Sequence, residues 1–239
     1  MSTKIFYDLH THILPGMDDG CKNTSESLAV LKSEFAQGAA GIAATSHYYP
    51  KESISDFLDR RRISWGMLKD ELAAEMPDAI PRIKLGAEVY YHRGLATDPD
   101  LPKLCLGKSN YLLLEMPFKQ WSSTVLRDVE MILNTRGLNV IIAHLERFLK
   151  LTDKSTMRAL LDMNVIVQVN TGNYLRFGTK RKALKMLSDG TVQLLSSDTH
   201  NSSERPPNFG AAIDAIKKAK LEDELTQVLA VGEHIFNVS

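Results

Sequence analysis

The chain has 239 residues, and its 29 basic and 29 acidic side chains balance, which argues against a protein that wraps nucleic acid or lies on an anionic membrane. Residues 1–4 lack the apolar stretch typical of a signal peptide, and no apolar run approaches the ~20 residues of a membrane span. The two cysteines do not suggest a disulfide framework. We therefore expect one cytoplasmic domain that covers residues 1–239.

Apolar runs rich in β-branched residues recur along the chain at intervals too long for β-hairpins. Most are nearly continuous in hydrophobicity, which is typical of parallel strands buried on both faces. The seven predicted strands, in chain order, are Ile5–Leu9, Gly41–Thr45, Ile83–Ala87, Tyr111–Leu114, Asn139–Ala143, Val165–Val169 and Val192–Leu195.

Helical patterns separate these strands. The predicted helices run from Thr24 to Gly38, from Ser122 or Ser123 to Gly137, from Asp153 onwards and, as one or two helices, through Asn208–Val231. Two short basic runs, residues 60–62 and 180–182, are predicted to be solvated helix faces. Alternation of strands and helices favours a barrel or a doubly wound sheet. The chain lacks the Gly-x-Gly-x-x-Gly turn of a dinucleotide-binding sheet.

Residues with metal-binding side chains follow the predicted strands at their carboxyl ends. They are His10 and His12 in DLHTH, then His47, Glu88, Glu115 and His144, and finally Asp198 and His200 in SSDTH. In a barrel these strand ends meet on one face, where barrel enzymes have their active sites. The sequence therefore predicts an α/β fold, a distorted barrel of about seven strands, with a site on that face.

The pair His10 and His12 is the strongest single signal. Residues two apart on a strand point the same way, so we expect the two imidazoles side by side, with Asp8 beside them. The turn at residues 18–20 is expected to bring the Asp19 carboxylate back to the same place.

Five imidazoles and four carboxylates then belong to the predicted site. Nitrogen and oxygen ligands without thiolate suit Mn, Fe or Zn, and nine ligands fit two or three divalent ions better than one. His92 and His234 fall outside the pattern and are predicted to be structural or surface residues. Gln168 and Asn170 are weaker candidates for hydrogen bonds to the ligands.

Two arginines stand beside the predicted ligands in the sequence. Arg147 comes three residues after His144, and Arg205 comes five residues after His200. A guanidinium binds phosphate oxygens in bidentate fashion. The pair therefore predicts a phosphate site next to the metal site.

The motifs DLHTHILPGMDDG, ATSH, GAE, LLLEMPF, AHLER and SSDTHN together resemble the polymerase-and-histidinol-phosphatase (PHP) superfamily. More narrowly, they resemble its bacterial protein-tyrosine phosphatases, which are encoded with capsule and exopolysaccharide synthesis genes. The resemblance runs from Tyr7 to about Gly210. It implies a distorted seven-stranded barrel with three metal ions, usually manganese.

The resemblance also implies which residues hold each ion and which bind phosphate. One ion would be held by His10, His12, Glu88 and Asp198, a second by Glu88, Glu115 and His144, and a third by Asp19, His47 and His200. Glu88 would then bridge two ions. Arg147 and Arg205 match positions where this branch has phosphate-binding arginines, whereas Leu145 departs from a common proline.

The implied activity is hydrolysis of phosphotyrosine by metal-bound hydroxide, without a covalent enzyme intermediate. The implied partner is an autophosphorylating bacterial tyrosine kinase that regulates polysaccharide synthesis, and no nucleic acid. A small-molecule phosphatase of the histidinol-phosphate type, an exonuclease and a non-enzymatic interaction protein remain as alternatives. Aromatic residues near the strand ends could flank a tyrosine ring, although each is more often packing: Tyr48, Tyr49, Tyr90, Phe118 and Trp121.

Overall fold

The structure is a computed structural model that describes residues 5–76 and 82–239. Its strands are β1 Phe6–Thr11, β2 Ala39–Ala44, β3 His47–Tyr48, β4 Ile83–Leu85, β5 Glu88–Tyr90, β6 Tyr111–Glu115, β7 Asn139–Ile142, β8 Ile166–Asn170 and β9 Leu194–Ser196. Its α-helices are α1 Thr24–Gln37, α2 Ile54–Glu75, α3 Ser123–Asn134, α4 Lys154–Leu161, α5 Lys180–Ser188, α6 Phe209–Lys218 and α7 Glu222–Val238.

All the strand pairs are parallel, and the strands form two sheets in the orders β1-β2-β4 and β3-β5-β6-β7-β8-β9. The sheets are joined along the chain, because β3 follows β2 after two residues and β5 follows β4 after two residues. The seven predicted strands are therefore all present, and β3 and β5 are two short additional strands that were not predicted. The predicted α/β barrel of distorted type is confirmed.

The gap between β4 and β5 begins at Gly86. A Cβ there would lie 2.6 Å from the Cδ2 atom of Leu106, so a larger residue would have to displace that side chain. Its carbonyl accepts a hydrogen bond from Arg61 Nη1 at 2.7 Å. The Glu88 N–H then donates to the Thr45 carbonyl, at the corresponding gap between β2 and β3. The chain consequently turns before Glu88, which begins β5.

The two ends of the strand series meet at β1. An isolated parallel bridge joins Thr11 to Thr199, just after β9. The N–H of His12 donates to the Thr199 carbonyl and the N–H of Asp198 donates to the His10 carbonyl, both at 2.9 Å. These bonds bring the first and last ligand-bearing segments together.

The interior of the barrel is a small apolar cluster that includes Tyr7, Leu9, Leu113 and Ile141. Phe236 of α7 packs into this cluster against Gly41, where a Cβ would lie 2.4 Å from the Phe236 ring. The predicted helical segment at residues 208–231 proves to be two helices, and the second continues to Val238. The last turns of α7 thus close the barrel on the side away from the strand ends.

The predicted starts of α1, α3 and α4 agree with the structure to within a residue, whereas no bounds were predicted for α2 and α5. Asn23, Ser122 and Asp153 cap α1, α3 and α4 by accepting a hydrogen bond from a backbone N–H in the first turn. No helix in residues 5–76 or 82–239 is long and apolar enough to cross a membrane.

One basic run differs from its prediction. Arg60 forms an ion pair with Glu52 at 2.6 Å, and Arg61 is drawn inward to the Gly86 carbonyl. These two side chains of α2 therefore hold loops in place and are not simply a solvated face.

Candidate metal centre

The structure brings the nine predicted ligands together at the carboxyl ends of the strands. Seven of them are buried, His47 is largely buried, and Asp19 lies at the surface with its side chain 65% exposed. Ligand atoms group within 4.8 Å of one another in four sets: His12, Asp19, His47 and His200; His10, Glu88 and His144; His10, His12 and Asp198; and His47, Glu88 and Glu115.

Glu88, the first residue of β5, lies at the centre of this cluster. Its Oε2 atom is 3.1 Å from His10 Nε2, 3.3 Å from His12 Nε2 and 2.9 Å from His47 Nδ1. Its Oε1 atom is 2.7 Å from His144 Nε2. A single buried carboxylate thus faces four imidazoles, as a bridging ligand would.

Asp198 forms a second centre. Its Oδ1 atom lies 3.5 Å from each of three imidazole nitrogens, on His10, His12 and His200. The backbone at Asp198 is left-handed, with φ of 55°, and His144 is also left-handed, with φ of 32°. Such conformations are uncommon outside glycine and cluster at functional sites.

The turn at residues 18–20 returns Asp19 to the cluster as predicted. Its Oδ1 atom is 3.4 Å from His200 Nε2 and 3.5 Å from His47 Nε2. A Cβ on Gly20 would lie 2.3 Å from the His12 carbonyl oxygen, so the turn requires glycine there.

Asp18 has a role that the sequence did not indicate. Its buried carboxylate accepts hydrogen bonds from His12 Nδ1, from the His47 N–H, both at 2.8 Å, and from the Gly20 N–H. A carboxylate behind a histidine fixes the ring so that the other nitrogen points at a metal. The DDG motif therefore supplies one candidate ligand and one residue that orients another.

Gln168 supports two further ligands from β8. Its Oε1 atom accepts from the His144 N–H at 2.7 Å and lies 3.2 Å from His10 Nδ1. Its Nε2 donates to Asn170, whose amide donates to Asp198 Oδ2 at 2.7 Å. Gln168 and Asn170, both predicted as hydrogen-bond partners of the ligands, thus form a continuous chain of hydrogen bonds from His144 to Asp198.

Asp8 lies elsewhere than predicted. It belongs to none of the ligand groups. Its carboxylate accepts the Ser197 N–H on both oxygens, at 3.1 Å each, and the backbone N–H of His10 at 3.3 Å. The pairing of β1 with β2 shifts register between Asp8 and Thr11, which interrupts the strict alternation on which the prediction rested.

A buried contact from α1 reaches the same loop. The Ser197 hydroxyl donates to Glu34 Oε1 at 3.4 Å and accepts from the Thr199 N–H at 3.1 Å. Burial and the neighbouring Asp8 carboxylate raise the pKa of Glu34 well above its usual range. Ser197 therefore links the helix to the residues on either side of Asp198.

Acidic neighbours raise the pKa of two of the imidazoles. Burial alone would lower the pKa of His12, but the Asp18 carboxylate outweighs it and raises that pKa well above 6.5. At His144 burial is likewise outweighed by Glu115 and Glu88, and the pKa rises to about 9. The carboxylates of the cluster therefore favour positive charge on these two rings.

His200 differs from these histidines. Burial and the nearby positive charge of His12 lower its pKa to about 3. Its Nδ1 lies 3.0 Å from the Asp198 carbonyl and can donate to it. The neutral ring then presents the Nε2 lone pair to Asp19, which is the tautomer that a metal ligand needs.

The donor set fits divalent ions. Buried Glu88 Oε2, His47 Nδ1 and His200 Nε2 have no hydrogen-bond partner of proper geometry, and such orphaned atoms are costly unless a ligand satisfies them. One of the four observed sets of ligand atoms contains the implied third ion's ligands, Asp19, His47 and His200, together with His12. The observed sets that contain Glu88 differ from the implied ones, since one of them joins Glu88 to His10 and His144.

The two predicted arginines meet at the outer face of Asp198. Its Oδ2 atom is 2.5 Å from Arg147 Nη2 and 2.8 Å from Arg205 Nη2. Both guanidiniums are about one-third exposed and line a cavity of about 380 Å³ beside the cluster. Asp198 thus separates imidazoles on one side from guanidiniums on the other.

The aromatic candidates divide into two kinds. Tyr49 and Phe118 are exposed at the edge of the site, with ring centres 5.1 Å from His47 and 6.3 Å from His144. Buried Trp121 donates to a backbone carbonyl and packs against Phe148.

Two further aromatic candidates, Tyr48 and Tyr90, and the two histidines outside the ligand pattern differ in their exposure to solvent. Tyr48 is buried, whereas Tyr90 is half-buried with its ring 5.7 Å from that of Tyr49. His92 is half-buried and His234 is exposed on α7, and neither belongs to the ligand groups.

The whole chain was compared with known protein families. A family model described as capsular polysaccharide synthesis, CpsB/CapC, matches residues 6–234. The chain belongs to this family. Within the CpsB/CapC family, the tyrosine-protein phosphatase CpsB of Streptococcus pneumoniae is 32% identical over 228 residues, covering 88% of this chain and 89% of that protein. The tyrosine-protein phosphatase YwqE of Bacillus subtilis is 25% identical over 225 residues, covering 88% and 84%.

Solved structures share the fold. One described as YwqE from Bacillus subtilis and CpsB from Streptococcus pneumoniae, unique metal-dependent tyrosine phosphatases, superposes with a TM-score of 0.81 at 21% identity, covering 98% of this chain and 95% of the other. The phosphotriesterase homology protein from Escherichia coli, with phosphate in its active site, gives a TM-score of 0.50 at 12% identity, covering 94% and 96%. The neighbours of this CpsB/CapC chain are therefore barrel-type hydrolases.

Proposed function

We propose that this protein is a metal-dependent protein-tyrosine phosphatase, a phosphoric monoester hydrolase that acts in surface polysaccharide synthesis. The observation that carries the proposal is the position of Asp198, whose carboxylate lies between three imidazoles and the guanidiniums of Arg147 and Arg205. Metal-binding and phosphate-binding groups therefore adjoin each other. The names of the CpsB and YwqE relatives support the same activity.

The cofactor that we propose is two or three divalent ions, with Mn²⁺ favoured and Fe or Zn as further candidates. The residues that would hold them are His10, His12, Asp19, His47, Glu88, Glu115, His144, Asp198 and His200. Ions at this place would supply positive charge for the phosphate and a water of lowered pKa.

The chain's own residues bind and orient the phosphate. Arg147 and Arg205 can turn from Asp198 to the phosphate oxygens, since each guanidinium is partly exposed and faces the cavity. Exposed Tyr49 and Phe118 stand where they can flank the ring of a tyrosine. The leaving phenol has a pKa of ~10, so it departs more readily than a serine alkoxide.

The cysteines do not serve as nucleophiles. Cys21 and Cys105 are buried, and burial raises the pKa of each thiol to about 12. A thiol in this state is inert, because the thiolate is the nucleophile. We therefore propose direct hydrolysis without a covalent enzyme intermediate, a proposal that trapping of a labelled phospho-enzyme would refute.

The substrate that we propose is a phosphotyrosine protein, namely an autophosphorylating bacterial tyrosine kinase of the cytoplasm that regulates capsule or exopolysaccharide synthesis. The family description and the relatives' names support this role. The balanced charge of the chain argues against nucleic acid as the partner.

The test is hydrolysis of a phosphotyrosyl peptide by the purified protein with Mn²⁺, with a chelator control and histidinol phosphate assayed in parallel. We expect chelator-sensitive phosphate release from the peptide, well above that from histidinol phosphate. Turnover of histidinol phosphate alone would contradict the proposal and assign the site to small-molecule metabolism. Absence of turnover from both would favour an interaction protein.

A further inference from the structure

We propose that the cavity beside the phosphate-binding arginines is a subsite for an acidic side chain of the same phosphopeptide, with Arg176 as the residue that recognises it. This inference rests on the proposed function and adds a preference for acidic residues close to the phosphotyrosine. Arg176 lies in the segment at residues 175–182, which follows β8 and leads into α5.

The cavity joins this segment to the phosphate site. Its volume is about 380 Å³, and its walls include Arg147, Asp198 and Arg205 as well as Arg176 and Thr179. Volumes of this size are typical of ligand pockets. One ligand can therefore touch the phosphate-binding arginines and Arg176 together.

The charges in the cavity leave Arg176 without a partner. Arg147 and Arg205 pair with Asp198, and Glu146 accepts hydrogen bonds from the Asn170 N–H and the Asn173 amide. Across residues 5–76 and 82–239, the guanidinium of Arg176 makes no ion pair or hydrogen bond.

Two further carboxylates oppose an acidic ligand in the cavity. Glu146 accepts both of its hydrogen bonds on Oε1, and its buried Oε2 has no partner among the described residues. The carboxylate of Glu204 is exposed at the edge of the cavity and forms no ion pair with another described residue. An exposed charge at the edge of a site is expected to disfavour ligands of its own sign.

The neighbours of Arg176 are exposed and either apolar or basic. Phe177 is fully exposed, and Leu175 is 39% exposed. From residue 175 to residue 182 the chain reads LRFGTKRK, with four cations and no acid, although the whole chain is neutral. Exposed apolar side chains beside unpaired cations mark interaction surfaces.

An acidic peptide fits these features better than a membrane surface. A flat bilayer could contact Phe177 and the start of α5, but it could not enter the cavity that Arg176 lines together with the phosphate site. A compact cavity of that volume is about 7 Å across, and an extended chain advances about 3.3 Å per residue. We therefore place the acidic residue within about two positions of the phosphotyrosine.

The experiment compares two phosphotyrosyl peptides, one with Glu and one with Gln at the second position on each side of the phosphotyrosine. The measured quantity is the ratio of their kcat/KM values with the Mn²⁺-loaded protein. We expect the wild type to prefer the Glu peptide, and Arg176→Glu to lower the ratio about tenfold, mainly through KM. Glu204→Gln should raise the ratio, since it removes an opposing charge.

The matched control is Arg127→Glu, the same charge reversal at an exposed position on α3 outside the cavity. It should leave both kcat/KM values unchanged. Hydrolysis of both peptides with a ratio of one, unaffected by Arg176→Glu, would overturn the subsite and leave the phosphatase intact. Failure to hydrolyse either peptide would overturn both.

A second experiment measures binding of the protein to vesicles of phosphatidylglycerol and phosphatidylcholine. Binding of the wild type that Arg176→Glu abolishes, together with equal turnover of the two peptides, would overturn the peptide subsite in favour of a lipid surface. Preference for the Glu peptide without vesicle binding would support the subsite.

Discussion

The ligand cluster and the arginine edge of the site are built differently. In the cluster, Glu88 is wholly buried, and His12 is held from behind by Asp18. At the edge, Arg205 is about one-third exposed and Phe177 is fully exposed. The fold therefore fixes the positions of the metal ligands in advance, whereas the groups proposed to meet the substrate can adjust to it.

Breaking the centre of the cluster should have the largest effect. Glu88→Gln removes the carboxylate that faces four imidazoles, and we expect bound Mn²⁺ and activity to be lost together. The fall in kcat/KM should be about a thousandfold or more, because metal ions supply several kcal/mol of transition-state stabilisation. Metal content by elemental analysis and peptide turnover measure the two losses. Glu52→Gln, a carboxylate outside the cluster, is the control, and full retention of metal and activity by Glu88→Gln would refute the bridging role.

Removing an arginine at the edge of the site should lower activity without lowering metal binding by the ligand cluster. Arg205→Ala is expected to lower kcat/KM by about a hundredfold to a thousandfold, or roughly 2–4 kcal/mol, while metal content stays intact. The reason is that the Arg205 guanidinium is not a ligand itself and lies against the outer oxygen of Asp198 at 2.8 Å and Asp19 Oδ2 at 3.8 Å. Steady-state kinetics with metal analysis tests this, and Arg127→Ala serves as the surface control. Unchanged kinetics would remove Arg205 from the site.

The pKa values predict opposite effects of pH on metal binding and on the stability of the ion-free protein. The pKa of His144 is raised to about 9 and that of His12 is also raised, so both rings must lose protons before they can bind an ion. Mn²⁺ affinity should then increase by up to about tenfold per pH unit for each proton released. Calorimetric titrations in buffers of different ionisation enthalpy would measure the protons released, and a value of zero would contradict this prediction.

The stability of the ion-free protein should fall with rising pH, in contrast to the affinity for Mn²⁺. The protonated form of His144 stabilises the folded ion-free protein fully below the unfolded pKa of about 6.5, and that contribution is lost as pH rises through about 9. The Tm of the chelated protein should therefore fall over this range. His200, with a pKa lowered to about 3, has the opposite slope below and around pH ~6.5 and adds none above about pH 7.5, where its ring is neutral in both states. A rising Tm would show that the imidazoles are not paired as described.

The smallest effect should come from a residue that supports a ligand without touching an ion. Ser197→Ala removes the hydroxyl that joins Glu34 to the Thr199 N–H beside Asp198, and we expect about tenfold weaker Mn²⁺ binding. Ser27→Ala is the matched control, since that buried hydroxyl on α1 donates only to the Asn23 carbonyl. Equal affinity in the two variants would assign Ser197 a purely structural role.

Much of the site could be predicted because its residues sit at the carboxyl ends of parallel strands. His47, Glu88 and His144 are far apart in sequence, but each lies at the end of a parallel strand, and a barrel brings these strand ends together on one face. The same reasoning explains why the barrel could be predicted from a series of apolar runs separated by helices.

The remaining features depend on contacts that local sequence does not encode. Asp18 and Asp19 are adjacent and identical in type, and only the path of the turn decides which one is buried behind His12. The close packing of Leu106 on Gly86 joins residues twenty positions apart in the sequence. Register shifts in β1 likewise depend on its partner strand, so the position of Asp8 could not be read from alternation alone.

The left-handed backbone at His144 and Asp198 limits which amino acids evolution can place there. Outside glycine, that conformation is enriched in Asn, Asp and His, whereas metal sites of this class draw on His, Asp and Glu. Only His and Asp belong to both groups, and these are the two residues present. A glutamate at position 198 would keep the negative charge but would not favour the left-handed conformation. Substitution at these two positions is therefore restricted to histidine and aspartate.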